Sequence, residues 1–314
     1  MKYYVGVDLG GTNIAVGIVD ENGRLIAKDS TKTLHERGYE AIVEDMAKLY
    51  YKLLEETGVK EEEIVSAGIG APGSVDHDNG VIIYANNLNF NNVPLAEQLK
   101  KHINKPVFVD NDANCAAWAE FVAGSAKGTS VAVVITLGTG VGSGVIIDGK
   151  IQSGFNFCGG ELGHTVIDAN GPLCTCGRKG CFEVYSSATG LINMTKEYAQ
   201  KDKNSKLWEY TKEGKFNGRT AFLAADEGDE TAKAVVEKYT DYLSIGIANI
   251  INIFQPEIFV IGGGVSNEGD NLINPLKEKV FSQTYTNPKV VPMCDIVKAQ
   301  LGNDAGIIGA ALLK

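Results

Sequence analysis

Residues 3–20 read YYVGVDLGGTNIAVGIVD, two apolar runs rich in β-branched residues that are joined by a short glycine turn. Residues 131–148 read VAVVITLGTGVGSGVIID and repeat this order. β-Branched residues favour strands, and glycine permits a tight turn between them. The repeat predicts two similar domains that face each other across a cleft, although apolar strands with glycine turns also resemble one another by chance.

Segments between and after these repeats alternate between strand and helix patterns. Ile64–Gly70 and Pro106–Asp110 are short apolar runs typical of buried strands. Apolar residues recur at helical spacing in Glu40–Glu56 and Thr231–Phe254. Strands that alternate with helices predict an α/β fold.

The length and charge of the chain limit its partners. Its 314 residues suit two domains, and 29 lysines and arginines against 39 aspartates and glutamates give a formal net charge of −10. Because no basic run offsets this charge, we expect no nucleic-acid partner. The sequence has neither the apolar core of a signal peptide nor the ~18-residue apolar run of a membrane span. We therefore expect a cytoplasmic protein without a membrane partner.

Glycine is unusually frequent, with 37 residues, and several glycines follow predicted strands. No GxxxxGK[ST] loop is present, and Gly68–Gly73 matches GxGxxG without opening a helix, so neither common phosphate motif applies. Asp8–Asn13 and Leu137–Gly142 instead offer backbone N–H groups without an obstructing Cβ, and Gly262–Gly264 would let a nucleoside lie against the backbone.

Each loop alone is better explained as a tight hairpin, but three in similar strand contexts favour a nucleotide. Thr12 and Thr139 add hydroxyl donors, and Asp8 is a candidate to hold the water shell of Mg²⁺. The candidate nucleotide-binding residues are Asp8, Gly10, Gly11, Thr12, Asn13, Gly138, Thr139, Gly140, Gly262, Gly263 and Gly264.

A histidine and three cysteines form a candidate metal site. His164 precedes Cys174, Cys176 and Cys181 within 18 residues, and glycines separate the last two cysteines. One imidazole and three thiolates are a typical ligand set for a structural zinc ion. The alternative, three reduced thiols beside an unrelated histidine, fits poorly because a Gly/Arg/Lys turn makes a poor core. The sequence therefore predicts structural Zn²⁺.

Acidic and amide side chains follow the predicted strands. Asn111 and Asp112 come directly after Pro106–Asp110, where ligands of α/β proteins bind. Asp112 could equally be a helix N-cap, and Glu183, two residues after the last cysteine, a solvated surface acid.

Taken in order, these motifs resemble the ROK (repressor, open reading frame, kinase) family over nearly the whole chain. The matching motifs are Asp8-x-Gly10-Gly11-Thr12, Gly70-Ala71-Pro72-Gly73, Asn111-Asp112, Leu137–Gly142, Gly160-Glu161-Leu162-Gly163-His164, Cys174/Cys176/Cys181 with Glu183, and Gly262-Gly263-Gly264. The resemblance is greatest to the ATP-dependent bacterial sugar kinases of the family that act on glucose.

The resemblance implies the actin-like ATPase fold, two ribonuclease-H-like α/β domains around a cleft. We expect a smaller domain from residues 1–115 and 300–314 and a larger domain from residues 116–299, which contains the cysteines. The resemblance also implies that Asp112 is the general base that takes a proton from a sugar hydroxyl. As a solvated aspartate it would be ionised at neutral pH without any change in its pKa.

The resemblance further implies a sugar site. The residues that match the sugar-binding groups of the family, with Asn89 the weakest candidate, are Asn89, Asn111, Asp112, Glu161, His164 and Glu183. His164 would bind zinc through one ring nitrogen and the sugar through the other. The expected ligands are therefore a hexose, ATP with Mg²⁺, and structural Zn²⁺.

Alternatives remain open from the sequence. N-acetylmannosamine, fructose or allose could replace glucose, and polyphosphate could replace ATP. A sugar-responsive repressor is less favoured because the first strand begins by Tyr3, without a preceding helix-turn-helix, and a chaperone-like or cytoskeletal ATPase conflicts with the cysteine cluster. Because the family forms dimers or tetramers, we expect a homo-oligomer.

Overall fold

The computed structural model describes residues 1–285 and 289–314, and within these ranges it contains thirteen β-strands and nine α-helices. The strands are β1 (Tyr3–Leu9), β2 (Asn13–Asp20), β3 (Leu25–Lys32), β4 (Ile64–Ala71), β5 (Ser74–Asp76), β6 (Val81–Ala85), β7 (Phe90–Val93), β8 (Val107–Asn111), β9 (Val131–Leu137), β10 (Val141–Ile147), β11 (Lys150–Ile151), β12 (Ile258–Gly262) and β13 (Asp295–Lys298). The helices are α1 (Tyr39–Thr57), α2 (Leu95–Lys100), α3 (Asp112–Ala123), α4 (Phe182–Ser186), α5 (Ala188–Lys201), α6 (Thr220–Asp226), α7 (Glu230–Phe254), α8 (Asp270–Gln283) and α9 (Ala305–Ala311).

Two five-stranded sheets have the same strand order. The first runs β3-β2-β1-β4-β8 and the second β11-β10-β9-β12-β13, so each begins with three consecutive strands in reverse order. In the first sheet β1 pairs antiparallel with β2 and parallel with β4, and β4 pairs parallel with β8. In the second, β12 and β13 are parallel. The shared order confirms the predicted repeat.

The chain is divided into two compact units. The first contains Met1–Val134, Gly144–Gly160 and Gln300–Lys314, and the second contains Ile135–Ser143 and Glu161–Ala299. This division differs from the boundary expected after residue 115. For residues 116–123 the reason is that α3 packs against α9, so the whole helix belongs to the first unit.

The core of the first unit is formed by the first sheet and α1. Buried side chains of the sheet, such as Val7 and Ile69, pack in one cluster with Ile42, Met46 and Leu53 of α1. α1 ends before Gly58, which has a φ of 70° and donates its N–H to the Leu54 carbonyl. None of the described helices is long and apolar enough to span a bilayer.

Candidate functional site

The parallel strands of the first sheet bring three predicted positions to one edge. Asp8, Gly70 and Asp110 are register neighbours across β1, β4 and β8, close to the carboxyl end of each strand. Asn111 ends β8, and Asp112 is the first residue of α3. The prediction that Asn111 and Asp112 follow a strand at the carboxyl edge of the sheet is confirmed.

Asn111, and not Asp112, is the N-cap of α3. Its side-chain oxygen accepts hydrogen bonds from the N–H groups of Ala113 (2.9 Å) and Asn114 (3.2 Å), and its Nδ2 donates to the Gly73 carbonyl (3.0 Å). These bonds fix the start of the helix and connect it to the Gly70–Gly73 loop. The N-cap alternative for Asp112 is therefore wrong, and its carboxylate is not committed to capping.

Asp112 is half-buried, which corrects the expectation of a solvated aspartate. Burial raises its pKa above the ordinary value, and backbone hydrogen bonds, including one from the Ala113 N–H to Oδ1 (2.8 Å), lower it in part. A carboxylate with a raised pKa is a stronger base. The folded chain thus changes the basicity of Asp112, which the sequence pattern could not show.

Two further carboxyl groups at this edge have raised pKa values. Burial raises the pKa of Asp8 to about 6, and the negative charge of Asp112 adds to this effect. Asp110 is only 5% exposed; burial raises its pKa, while hydrogen bonds from the Asn114 side chain and the Asn111 N–H lower it. Asp110 is fixed within the fold, whereas Asp8 and Asp112 repel each other.

The loop after β1 is held in a compact turn. The Gly10 N–H donates to the Asn13 carbonyl (2.9 Å). Thr33 donates its N–H to the Thr12 carbonyl and its hydroxyl to the Gly10 carbonyl. A Cβ placed on Gly11 would lie 3.3 Å from the Asn87 Cβ, so residue 87 lies beside the loop. The sequence analysis did not single out Asn87, although it lies in the asparagine-rich run of residues 86–92.

The presence of asparagine at position 89 is explained by the backbone conformation as well as by the predicted sugar binding. It has a φ of 56° and caps a 3₁₀ turn, a left-handed conformation that asparagine tolerates better than most residues. Its side chain is exposed, between Leu88 and the first residue of β7. Its role in sugar binding stays a prediction.

Glu183, on α4 in the second unit, contacts the predicted phosphate loop. The Val141 N–H donates to its Oε2 (2.9 Å), and a Cβ on Gly140 would lie 2.3 Å from the same oxygen. Glycine at position 140 therefore makes room for this carboxylate. The alternative of a solvated surface acid is wrong, because the side chain is half-buried and hydrogen-bonded.

The remaining predicted nucleotide-binding residues of the second unit differ in their surroundings: some are packed closely, and others border open space. Gly138 donates its N–H to the Gly140 carbonyl (3.0 Å), and the Thr139 carbonyl accepts from the Thr189 hydroxyl (2.7 Å). A Cβ on Gly263 would lie 2.5 Å from Leu137, whereas one on Gly264 would meet nothing within 4 Å. Gly262 is buried within β12. The two glycine loops of this unit are therefore adjacent.

The four predicted metal ligands come together. The ligand atoms of His164, Cys174, Cys176 and Cys181 all lie within 4.8 Å of one another. His164 Nδ1 is 3.7 Å from Cys174 Sγ, and the sulfurs of Cys176 and Cys181 are 3.5 Å apart. A tetrahedral zinc ion with ~2.3 Å bonds would separate two sulfurs by ~3.8 Å, so the cluster fits Zn²⁺.

This cluster is continuous with predicted sugar-binding residues of the same unit. Glu183 Oε1 lies 3.8 Å from Cys174 Sγ, and α4 begins directly after Cys181. Glu161 is exposed and precedes the 3₁₀ turn Leu162–His164. His164 directs Nδ1 towards the sulfurs, which leaves Nε2 as the second ring nitrogen. The cysteine–histidine cluster thus includes one candidate sugar-binding side chain, His164, and contacts another, Glu183.

Comparison with known proteins identifies the family and the fold of the chain. The chain belongs to the ROK family, whose profile matches residues 4–314. It has the actin-like ATPase fold of the ROK sugar kinases, as predicted.

Several of the relatives are glucokinases. The chain is 38% identical to the glucokinase of Thermotoga maritima over 309 residues, which are 98% of this chain and 95% of that protein. It is 39% identical to the glucokinase of Halalkalibacterium halodurans over 314 residues, 99% of this chain and 94% of that one. The crystal structure of a ROK family glucokinase from Streptomyces griseus in complex with glucose and AMPPNP matches with a TM-score of 0.82 and 32% identity, covering 98% of both chains.

Proposed function

We propose that the protein is an ATP-dependent glucokinase, which transfers the γ-phosphoryl group of ATP to the 6-hydroxyl of glucose and releases glucose 6-phosphate and ADP. The observation that carries the proposal is the half-buried Asp112 at the start of α3, beside Asp8. Near full-length similarity to glucokinases supports the choice of sugar.

Asp112 acts as the general base. The Ala113 N–H holds Oδ1, so Oδ2 is the atom that accepts the proton of the attacking hydroxyl. Burial strengthens this base. Phosphoryl transfer otherwise depends on positioning and on neutralisation of charge.

Asp8 is the residue that would hold Mg²⁺ through its water shell. Burial and the charge of Asp112 both disfavour the ionised form of Asp8, and a divalent cation would relieve both effects, so the residues fit such an ion. When bound, Mg²⁺ neutralises charge on the phosphates.

The predicted glycine loops bind the nucleotide in this proposal. Because Gly138 and Val141 already donate within the second unit, the N–H groups of Thr139 and Gly140 are the candidates for phosphate there. Gly264, which has open space where a side chain would project, lies against the nucleoside. The remaining nucleotide residues are those of the predicted turn after β1, namely Gly10, Gly11, Thr12 and Asn13.

Hexose binding is assigned to side chains that can exchange hydrogen bonds with hydroxyls. These are Asn89, Asn111, Asp112, Glu161, His164 and Glu183. The zinc ion is structural: it would hold His164 Nδ1 and the three thiolates, fixing the tautomer that directs Nε2 to the sugar. Thiolate ligands and ATP as substrate favour the cytoplasm, and the family favours a homo-oligomer.

Product analysis tests the reaction. The protein is incubated with glucose, Mg²⁺ and either ATP or polyphosphate, and products are followed by ³¹P NMR. We expect glucose 6-phosphate and ADP with ATP, and little product with polyphosphate. ATP hydrolysis at the same rate without glucose would contradict a sugar kinase.

A further inference from the structure

The C-terminal helix α9 packs closely on the elements that position Asp8 and Asp112. It contacts β1, β4 and α3, all in the first unit. Three glycines at these contacts face backbone atoms: a Cβ on Gly6, Gly68 or Gly309 would lie within 2 Å of the carbonyl oxygen of Ile307, Ala310 or Cys115. These three glycines are therefore required for packing.

Gly306, in the first turn of α9, differs from these three. The three atoms nearest to a Cβ at this position all belong to the Asp8 side chain: Oδ2 at 2.9 Å, Cγ at 3.1 Å and Cβ at 3.6 Å. Cβ atoms essentially never lie closer than 3.0 Å to a non-bonded heavy atom, so an alanine would make the Asp8 carboxylate shift. Backbone packing does not explain this glycine.

The backbone conformation of Gly306 gives no other reason for glycine. It is absent from the glycines with positive φ and lies within a regular helix. Alanine adopts the helical backbone of position 306 at least as readily as glycine, so the conformation of this position does not require glycine. The space that it leaves is filled by the carboxylate of one residue.

We propose that Gly306 is a positioning residue for the kinase reaction: the absence of a side chain there sets the orientation of the Asp8 carboxylate. This inference rests on the proposed function, in which Asp8 holds the water shell of the metal ion. β1 is paired on both sides, so its backbone is fixed and the Asp8 side chain must move if residue 306 gains a methyl group.

Gly306→Ala should therefore weaken nucleotide binding while changing the thermal stability of the protein little. We expect the variant to melt within a few degrees of the parent protein, to bind Mg²⁺·AMPPNP at least ~10-fold more weakly by calorimetry, and to bind glucose normally. Gly218→Ala is the matched control, since a Cβ there meets nothing within 4 Å and its φ is not positive. Nucleotide affinity equal to that of the parent, or loss of folding, would overturn the proposal.

A stability cycle with Asp8→Ala tests whether the effect passes through Asp8. Removing the carboxylate leaves only the Asp8 Cβ, at an ordinary contact distance. We expect Gly306→Ala to raise Tm more in the Asp8→Ala background than in the parent; an equal change in both would overturn the proposal. This cycle needs no catalysis. If the parent protein lacked glucose-dependent ADP release, the proposed function would fail while the cycle still reported on the contact.

Discussion

The negative charge of Asp112 raises the pKa of Asp8, although the two residues are 104 positions apart in the chain. β1 and β8 end at the same edge of the first sheet, and α3 begins where β8 ends. The two carboxylates are therefore held near each other by strand pairing. In the ligand-free protein this arrangement is unfavourable, and the proposed metal ion would relieve it.

We expect Asp8→Asn to stabilise the ligand-free protein at pH 7. The pKa of Asp8 rises from 3.8 to about 6 on folding, so the folded chain binds this proton more tightly than the unfolded chain. The stability contributed by the protonated group is complete below pH 4 and is lost as the pH rises through 6. The substitution should add about 3 kcal/mol at pH 7 and less than about 1 kcal/mol at pH 4. Thermal melts of both proteins in magnesium-free buffer measure the difference, and an equal gain at both pH values would contradict it.

Asp112→Asn should retain glucose binding and lose turnover. The amide oxygen can still accept the Ala113 N–H, so the start of α3 is preserved, but the side chain no longer accepts a proton. We expect kcat to fall about 10³-fold, with the dissociation constant of glucose changed little. ADP release and calorimetry measure the two quantities.

Asp78→Asn is the control for this substitution, because Asp78 is an exposed acid of the same unit. Its kcat should equal that of the parent protein. Near-normal turnover in Asp112→Asn would show that another group is the base.

The cysteine cluster should hold about one zinc ion per chain by elemental analysis. Cys176 is exposed, so Cys176→Ser removes a ligand without opening a cavity, and we expect loss of zinc and a Tm lower by several degrees. Cys158 is an exposed cysteine of the other unit, and Cys158→Ser should keep its zinc. A folded, active preparation without zinc, or equal metal loss in both variants, would exclude this site.

Glu183→Gln should weaken sugar binding more than nucleotide binding. Glutamine can still accept the Val141 N–H, which preserves the loop, but hydrogen bonds from sugar hydroxyls to a neutral amide are weaker than those to a carboxylate. We expect the KM for glucose to rise ~10- to 100-fold and the KM for ATP to change little. The exposed Glu197→Gln on α5 is the control. A rise confined to the KM for ATP would instead assign Glu183 to the nucleotide loop.

Local patterns were enough to predict much of the fold. The strand–turn–strand repeat, α1 and α7 follow from apolar periodicity and from glycine turns, which act over short distances. The three-stranded sheet β5-β6-β7 was missed because its strands have only three to five residues and include the asparagine-rich run before β7. The short helix α4, which carries Glu183, was missed as well.

The sequence predicted which residue types form the candidate site, but not their burial, their pKa values or their long-range contacts. The convergence of His164 with the cysteines follows from a short, glycine-rich segment. By contrast, the burial of Asp112, the bond between Val141 and Glu183, and the contact of Gly306 with Asp8 join residues far apart in the chain. Strand pairing and helix packing create these relationships, so no local pattern contains them.

ADP release across a panel of hexoses, measured with ATP and Mg²⁺, tests the proposed activity most directly. Glucose, N-acetylmannosamine, fructose and allose differ in the hydroxyls and substituents that the proposed hexose-binding residues must recognise. We expect the highest kcat/KM for glucose, with each of the other sugars at least ~10-fold lower. A higher kcat/KM for another hexose, or ADP release independent of sugar, would contradict the assignment of glucokinase activity.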